Sequence, residues 1–469
     1  MKSEKLQDAI GFVDAKLIER ADKHKPKLIY KFRWVSAVAA MLVIAISMGA
    51  FFRASLLDIT SLTAKATIFE AKYPEVVEFS EDDYTAYSEL RKYINEKRQY
   101  YGYGAELDEF FKLTMAEFLT VDNSQNRVYS PLNIYMALAM LAETTGGNSR
   151  QQILDLLGVK DIETLRTQAN NIWNANYCKS NRYTNVMATS VWLNKDEKYK
   201  SDVFKTLAEV YYASSFQGEM GSKEYNQVLQ NWLNSQTGGL LKSMVSGVET
   251  DPNTALLLAT TTYLKVGWKS EFSQSYTKDN VFHGTNGDKT CAFMNCVDTD
   301  GGVLWGEKFT AAGKDLVSGS MWFILPDEGV SVNDLLADEE TMTFLASNKT
   351  YGYYVGELHL SIPKFDVDSS FDMLDGLKNL GVTDCLSSYT ADFSPTFVDP
   401  TGIALAEAQH GARVIVDEEG VEAAAITVMK EGWWGGPSNK YYFTADRPFI
   451  FIITNGEGLP LFTGVVNNV

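Results

Sequence analysis

Asp417-Glu-Glu-Gly-Val-Glu-Ala-Ala-Ala-Ile-Thr-Val-Met429 is the stretch that decides the fold, and the aromatic pair Trp433-Trp434 follows it closely. It runs from an acidic turn through small residues to a β-prone run. A packed strand rarely contains three consecutive alanines, because alanine is depleted in strands. An exposed loop rarely carries the apolar residues that end at Met429. The two preferences are reconciled if the segment is a loop in one state and a strand in another; an ordinary exposed hairpin is the alternative.

As a strand, this segment would present two different faces, because strand side chains alternate between sides. One face would carry Val421, Ala423, Ala425, Thr427 and Met429. The opposite face would carry Glu422, Ala424, Ile426, Val428 and Lys430. The first face is small enough to fit between strands that already exist, so the segment is suited to insertion into a sheet.

The composition allows a large core and argues against nucleic acid as a partner. The chain has 469 residues, of which 45% are hydrophobic and 12% aromatic, and either one large domain or several smaller ones fit this length. The net charge is −18, whereas phosphate binding needs clustered Lys and Arg.

Residue types that catalyse reactions or bind metals form no recognisable motif. The four histidines are His24, His283, His359 and His410. They form no HExxH, and no G-x-S-x-G elbow occurs, so we expect neither an enzyme nor a metal or cofactor. The four cysteines are Cys178, Cys291, Cys296 and Cys385. Cys291 and Cys296 could form a disulfide, although buried thiols are favoured.

Residues 35–52 form an 18-residue stretch without a charge, which is at the short end for a membrane span. A buried core helix and a cleaved signal peptide are the alternatives. The charged leader would be long for a signal peptide, and no convincing small-x-small cleavage site follows the apolar run. We therefore expect an uncleaved transmembrane anchor over residues 34–53.

The charge distribution predicts the orientation of this anchor. Residues 1–33 contain nine Lys/Arg and five Asp/Glu, so the positive-inside rule places this tail in the cytoplasm. The acidic remainder would then face outward. Residues 54–104 are predicted to form a stalk with some helix between Tyr84 and Gln99, and residues 105–469 a compact domain.

Within this domain helical patterns come first and strands later. Ile134–Leu141 is apolar almost all round, which predicts a buried helix. The later β-rich segments are Ala188–Leu193, Ala255–Leu264, Met321–Leu325, His359–Ile362, Tyr441–Thr444 and Phe449–Ile453. This order indicates an α+β domain with mixed, mostly antiparallel sheets.

Several further motifs occur in a characteristic order. They are Val128-Tyr-Ser-Pro-Leu-Asn-Ile134, Tyr263-Leu-Lys-Val-Gly-Trp268 with Phe272, Leu360-Ser-Ile-Pro-Lys-Phe365, Leu380-Gly-Val-Thr-Asp384, Ala391-Asp-Phe-Ser394, Asp446-Arg-Pro-Phe-Ile-Phe451 and Leu459-Pro-Leu-Phe-Thr-Gly464. Together with the opening stretch, they resemble the serpin family over roughly residues 105–469. The resemblance implies a large central β-sheet, further β-sheets, about eight or nine helices and an exposed reactive-centre loop at about 418–440.

The resemblance implies that the opening stretch is the hinge of this loop. Its hinge residues would be Glu418, Gly420, Val421, Glu422, Ala423, Ala424 and Ala425. Glycine permits unusual dihedral angles, and Val421 would be the first residue to become buried. No proline occurs between Gly420 and Trp434, which favours an inhibitory member because proline removes a ladder hydrogen bond.

A second implied region controls the opening of the central sheet. It would include Ser130, Asn133, Thr260 and His410. Asn133 stands where the family usually has serine, and Thr260 where it usually has asparagine. Either departure could shift the threshold for opening without changing the fold. A hydrogen-bonded His410 would hold the strands together until insertion.

The family's spacing from Glu418 implies a reactive bond at Trp434–Gly435. An aromatic residue at this bond suits the deep apolar pocket of chymotrypsin- or subtilisin-like serine proteases. The alternative is that Trp433 and Trp434 cover part of the protein body. Serpin loop insertion is a known case of strand addition to a sheet, and suicide inhibition by this route is the function that the resemblance implies.

Two other functions remain open from the sequence. One is a tethered serpin-fold binding module without inhibitory activity. The other is a membrane sensor that detects proteases outside the cell and signals through residues 1–33. A hydrolase is a remote third alternative.

Overall fold

The computed structural model describes residues 62–63, 65–80, 83–97, 107–120, 122, 124–181, 183–299, 301–347, 354–421 and 439–469. The chain divides into two compact units, Met1–Lys65 and Ala66–Val469. The tail 1–33 and the apolar segment 35–52 lie outside the described residues. No helix in the described part of the chain is long and apolar enough to cross a bilayer.

Eleven α-helices lie in the described ranges. They are α1 (Asp83–Lys97), α2 (Asp108–Leu119), α3 (Pro131–Thr144), α4 (Gly147–Leu156), α5 (Ile162–Asn176), α6 (Ser201–Val210), α7 (Lys223–Gln236), α8 (Lys242–Val245), α9 (Val332–Leu336), α10 (Glu339–Ser347) and α11 (Leu374–Asn379). The resemblance implied about eight or nine helices; the described ranges contain eleven, among them α8 with four residues and α9 with five.

Three β-sheets accompany these helices. The central sheet has the order β1 (Thr67–Phe69), β5 (Ala213–Gly218), β4 (Thr184–Asn194), β6 (Leu256–Gly267), β16 (Gly420–Val421), β15 (Gln409–Val416) and β14 (Phe365–Asp372), with β3 (Cys178–Lys179) paired to β4. The buried sheet has the order β12 (Tyr354–Val355), β9 (Gly302–Trp305), β10 (Phe309–Asp315), β11 (Ser320–Pro326), β18 (Phe449–Thr454), β19 (Pro460–Val466) and β2 (Arg127–Tyr129). The outer sheet has the order β17 (Lys440–Thr444), β13 (Glu357–Pro363), β8 (Gly287–Asp298) and β7 (Lys278–Gly284).

This architecture confirms the expected α+β class with several sheets. Each β-rich segment of the sequence falls within or largely within one of these strands. None of the four cysteines forms a disulfide, so the alternative of a Cys291–Cys296 bridge is wrong for this structure; Cys178 and Cys385 are buried and the other two are partly exposed.

Helix α3 lies in the core, as its apolar sequence predicts. The Ser130 hydroxyl caps its start by accepting a hydrogen bond from the backbone N–H of Asn133 (3.4 Å), and Pro131 occupies the first turn, where no N–H partner is needed. The helix packs against β6 of the central sheet and β19 of the buried sheet. It therefore joins the two sheets through one buried element.

The central sheet consists of two extensively paired halves with β16 between them. On one side β4 pairs with β6 over ten residue pairs, and on the other β14 pairs with β15 over eight. Strand β16 is described over Gly420 and Val421, where it pairs with β6 and with β15. A separation of β6 from β15 would therefore leave the ladders within each half intact.

Part of the expected stalk belongs to the folded unit. Strand β1 pairs with β5 at the edge of the central sheet, and the Tyr73 ring lies 5.5 Å from that of Trp173. In α1, Ala86 and Leu90 are 1% and 0% exposed. The helix predicted between Tyr84 and Gln99 is present, but it packs through this apolar pair, whose spacing of four residues places both side chains on one helix face.

The replacement Leu90→Ala tests whether α1 is structural. We expect it to destabilise the folded unit by about 2–3 kcal/mol, because it removes a fully buried side chain and leaves a cavity. Thermal unfolding of the full chain measures this effect. Lys92→Ala is the matched control, since the Lys92 side chain is 79% exposed. Equal unfolding midpoints for the two variants would show that α1 does not contribute to the fold.

Candidate functional site

The hinge region is a tight turn between β15 and β16. The Asp417 carboxylate accepts hydrogen bonds from the backbone N–H groups of Glu419 (2.9 Å) and Gly420 (3.2 Å). A Cβ atom at Gly420 would lie 2.3 Å from the carbonyl oxygen of Val266. Gly420 is therefore required by the close approach of its backbone to β6, whereas the sequence interpretation invoked unusual dihedral angles.

After the turn, the chain enters the central sheet. Val421 pairs with Val416 of β15 and with Val266 of β6, and it is 2% exposed. Both pairings are antiparallel, so β6 and β15 are parallel to each other with β16 between them. The remaining predicted hinge residues, Glu422, Ala423, Ala424 and Ala425, and the predicted reactive bond, Trp434–Gly435, lie outside the described residues.

Glu418 is anchored by two polar side chains. Its carboxylate accepts hydrogen bonds from the Lys364 ammonium group (2.6 Å) and the Thr277 hydroxyl (2.8 Å), and the residue is 7% exposed. Desolvation alone would raise the pKa of Glu418, but these hydrogen bonds outweigh it and lower the pKa below its ordinary value. The carboxylate is therefore ionised and paired at neutral pH.

The backbone of the hinge is anchored to the end of β6. The indole N–H of Trp268 donates to the carbonyl of Asp417 (2.9 Å), and its backbone N–H donates to the carbonyl of Glu419 (3.0 Å). The backbone N–H of Phe272 donates to the carbonyl of Glu418 (3.0 Å). Three consecutive hinge carbonyls are thus satisfied by one segment, which fixes the point where the chain enters the sheet.

A buried ion pair lies next to the two aromatic residues of this segment, Trp268 and Phe272. Lys314 is 2% exposed, and its ammonium group lies 3.1 Å from the Asp298 carboxylate and 4.9 Å from the centre of the Phe272 ring. The Trp268 ring contacts Phe272 edge-on at 5.6 Å. Removal of either member of this buried ion pair would leave an uncompensated charge. The paired Lys314 therefore stays in place next to the Phe272 ring, which in turn contacts Trp268.

The predicted sheet-opening region is centred on His410. Its Nε2 accepts a hydrogen bond from the backbone N–H of Ser130 (3.2 Å), and aromatic rings of Tyr129 and Phe371 lie against it. Burial, and to a smaller extent the charge of Arg127, lower the pKa of His410 from 6.5 to about 3. A neutral imidazole therefore joins β15 to the start of α3.

The other two predicted residues of this region are placed differently. Asn133 lies in the first turn of α3 and is buried, and its side-chain NH₂ has no hydrogen-bond partner among the described residues. The Ser130 hydroxyl lies 3.5 Å from the hydroxyl of Thr262 of β6. Thr260 lies two residues before Thr262, on the same face of this strand.

Sequence reasoning missed several members of the site. Lys364 lies within a quoted motif, but nothing local identifies it as the partner of Glu418. Thr277 and the buried Lys314–Asp298 pair have no motif at all. The described residues contain no group of three His, Cys, Asp or Glu side chains placed to hold a metal ion. The contacts at this site stabilise the position of the backbone. They hold the start of β16 and the boundary between β6 and β15, which is called the seam below.

The replacement Glu418→Gln tests the hinge anchor. We expect it to lower the stability of the protein by about 2 kcal/mol at pH 7, because hydrogen bonds to a charged group are lost. A lowered folded-state pKa means that this contribution is present above the unfolded-state pKa and disappears as the pH falls through the folded-state pKa. The difference between wild type and variant should therefore shrink in acid.

Thermal unfolding at pH 7 and at acidic pH measures the loss. Glu419→Gln is the matched control, because the Glu419 carboxylate takes no part in the anchor described here. A Glu418→Gln midpoint equal to that of the control would contradict the anchor.

His410 predicts a second pH dependence of stability, which begins near pH 6.5, where the imidazole becomes protonated in the unfolded chain. Because its folded-state pKa is lowered, the unfolded state binds more protons below pH 6.5, and stability falls as the pH decreases from there towards about 3. The expected loss is about 2 kcal/mol between pH 6.5 and 5. His410→Gln should remove this part of the pH profile while retaining an acceptor for the Ser130 N–H. Parallel profiles for both proteins would contradict the assignment.

Comparisons with known proteins agree with this fold. The family model for serpins (serine protease inhibitors) matches residues 107–469. Serpin-ZX of Arabidopsis thaliana is 28% identical over 364 residues, covering 74% of this chain and 93% of the plant protein. Serpin B6 of Pongo abelii is 28% identical over 378 residues, covering 75% of this chain and 96% of its own.

Solved structures show the same fold. The native state of the thermophilic serpin tengpin has a TM-score of 0.71 at 23% identity and covers 86% of this chain and 99% of its own. Human thyroxine-binding globulin complexed with thyroxine has a TM-score of 0.68 at 21% identity, with 78% and 98% covered. The family match spans most of the chain, and the structure has the large central sheet expected of the family; the chain belongs to the serpin family.

Proposed function

We propose that this protein is an extracytoplasmic serine protease inhibitor that acts by suicide cleavage of its reactive loop and insertion of that loop into the central sheet. The observation that carries the proposal is the position of Val421. It already lies between β6 and β15, buried and paired on both sides. Cleavage of the loop would release the chain that follows it to continue the same strand.

The length of β6 supports this continuation. In an antiparallel strand each step forward along the loop is one step back along β6. Gly420 faces Gly267, the last residue of β6, so the twelve residues of β6 would face Gly420–Glu431. Glu431 would lie opposite Leu256 at the end of the strand, where a charge is tolerated because water is close. The apolar and small part of the loop thus matches the available strand.

The inward face of the inserted strand would fit between small and apolar neighbours. In this register Ala425 would lie between Ala412 and Thr262, and both neighbours point to the same side as buried Val414. Thr427 would lie between His410 and Thr260. The small side chain of Ala425 suits the narrow space between the two strands. The hydroxyl of Thr427 suits a position next to the imidazole of His410.

The chemistry follows from the family mechanism. The serine hydroxyl of the protease attacks the carbonyl carbon of Trp434, and the Trp434–Gly435 bond breaks as the Gly435 amine leaves with a proton. The ester formed joins Trp434 to the protease. Insertion of residues 421–431 then carries the protease away from its attack position, and a displacement of about 1 Å can reduce the rate about a hundredfold.

The target class and location rest on the sequence. An aromatic residue at the reactive bond favours chymotrypsin- or subtilisin-like proteases. Residues 35–52 form the membrane anchor in this proposal, with residues 1–33 in the cytoplasm and the acidic serpin domain outside, as in a bacterial cell-surface protein. Such an arrangement would protect the cell surface from proteases that approach it.

A non-inhibitory binding module is the second candidate, and a cleft favours it. The space of about 890 Å³ between the β6–β7 connection and the outer sheet is lined in part by Tyr276, His359 and Tyr442. The His359 and Tyr442 rings stack at 4.5 Å. Thyroxine-binding globulin, which shares the fold, is solved with thyroxine bound. A tethered ligand carrier would use such an aromatic surface and would not need insertion.

Incubation of the full chain with chymotrypsin or subtilisin tests the proposal. We expect an SDS-resistant complex, cleavage after Trp434 by mass spectrometry and a higher unfolding midpoint of the cleaved protein. Ala425→Arg should abolish the complex and leave only cleavage, since insertion would have to bury a charge between Ala412 and Thr262. Ala425→Ser is the matched control and should retain inhibition. Clean cleavage of the wild type without a complex would overturn the inhibitory function.

A further inference from the structure

The outward face of the insertion seam has its own side chains. Leu264 and Val266 of β6 point inward and are buried, so the alternate residues of β6 face the opposite side of the sheet. These outward residues are Leu257, Ala259, Thr261, Tyr263 and Lys265. On β15 the outward residues are Gln409, Gly411, Arg413 and Ile415. An inserted strand would have to fit this face as well as the core.

The middle of this face is covered by α7, α8 and the chain that joins them to β6. The Arg413 guanidinium donates to the carbonyl of Leu240 (3.0 Å). A Cβ atom at Gly411 would lie 3.4 Å from the terminal methyl group of Met244. Side chains that an inserted strand directs outward would therefore enter a covered space between the sheet and α7–α8.

That space contains a cavity of about 400 Å³. Its walls include Leu233 of α7, Met244 of α8, and Ala259 and Thr261 of β6. Thr261 is 2% exposed, and its hydroxyl has no hydrogen-bond partner in the part of the chain that the structure describes. A mostly apolar, covered cavity next to the seam is suited to apolar side chains.

The loop carries apolar residues at the positions that would face this cavity. Continued from Val421, the register places Ile426 opposite Thr261 and Gly411, both of which line the cavity. Val428 would lie opposite Ala259 and Gln409. Gly411 and Ala259 have the smallest side chains available, so each leaves room for the branched residue beside it. This match would account for the apolar residues Ile426 and Val428 in the predicted reactive loop.

In this register the charged residues of the loop would meet opposite charges at the two ends of the same face. Lys430 would come two residues past the partner of Gln409, the first residue of β15, and so beside Glu407, which lines the same cavity. Glu407 has Asp372 and Asp251 nearby, and its partial burial, together with their negative charges, raises the pKa of Glu407. A cation placed there would relieve this repulsion.

At the other end, Glu422 would lie opposite Lys265. The outward residues of the loop therefore match the outward face of the sheet from one end to the other. An acidic loop residue would meet a lysine at one end, apolar residues would meet the cavity in the middle, and a loop lysine would meet a glutamate at the other end.

We propose that the outward face of the seam is a docking site for residues 422–430 of the reactive loop, in which Glu422 pairs with Lys265, Ile426 and Val428 fill the cavity under α7–α8, and Lys430 pairs with Glu407. The proposal rests on loop insertion as the function. These contacts set the register of the inserted strand, since a shift by two residues would separate both charge pairs and move Ile426 away from Gly411. Residues 265, 407 and 411 are thus positioning residues for inhibition.

Charge exchange in the full chain tests the proposed pair of Lys430 with Glu407. Glu407→Lys should place a cation opposite Lys430 and raise the number of inhibitor molecules consumed per subtilisin molecule by about fivefold, because slower insertion lets the protease complete hydrolysis. It should also reduce the gain in unfolding midpoint that follows loop cleavage. The double variant Glu407→Lys/Lys430→Glu should recover both values. Glu328→Lys is the matched control, because Glu328 is an exposed residue in the turn after β11.

Filling the cavity tests the apolar centre. Gly411→Leu should reduce the gain in unfolding midpoint after cleavage, whereas Gly411→Ala adds only a methyl group at 3.4 Å from Met244 and should keep most of it. The unfolding midpoint of each uncleaved variant shows whether the native fold is retained.

The outcomes separate this proposal from the proposed function. A wild type that gains stability on cleavage without forming a complex overturns inhibition, and the exchange variants still measure docking through that gain. A wild type that inhibits while Glu407→Lys and Gly411→Leu behave as their controls overturns the docking site. No gain in the cleaved wild type overturns both, because a strand that never inserts has no outward contacts.

Discussion

The structure depends on one spacing constraint: at Val421, β6 and β15 are held two strand spacings apart, about 10 Å, because β16 lies between them. The backbone of Gly420 fits there because it has no side chain to meet the carbonyl of Val266. The two halves of the central sheet are each paired over many residues. A structural change in this sheet therefore concentrates at the seam, where few hydrogen bonds must be exchanged.

Polar contacts, rather than apolar packing, hold the seam at two places. Glu418 is paired with Lys364 and Thr277 at the hinge, and His410 accepts from the Ser130 backbone further down. A polar contact can be exchanged for another polar contact at a small net free energy, whereas separation of packed apolar side chains costs their full burial. The apolar core around α3 can thus stay intact while the hinge and seam rearrange.

An inserted strand has to fit two environments at once. Its inward side chains meet a narrow seam next to the core, and its outward side chains meet a covered face with a cavity and charged ends. In the proposed inserted state, the small inward residues and the charged and branched outward residues of the loop would satisfy both requirements in a single register. The proposal thus gives a physical reason for a sequence that combines small residues with a β-prone run.

Much of the fold was predictable because its signals are local. The apolar sequence of α3, the runs that form β6 and β18, and the change at Gly420–Val421 from turn to strand can each be recognised within a few residues. The helix α1 was recognised as a helix, but its packing was not, since two buried residues on one face resemble an ordinary solvated helix. The short helices α8 and α9 fall below the length at which periodicity is detectable.

The sequence alone determined the family, the α+β class and much of the order of the elements, because these depend on neighbouring residues and on motifs in a fixed order. Only the tertiary structure decided that Lys364 and Thr277, 54 and 141 residues from Glu418, hold its carboxylate. It also decided that Thr262 meets Ser130, and that a cavity lies beside Gly411. Such contacts join distant parts of the chain, and their partners follow from the register and packing of whole sheets rather than from any local pattern.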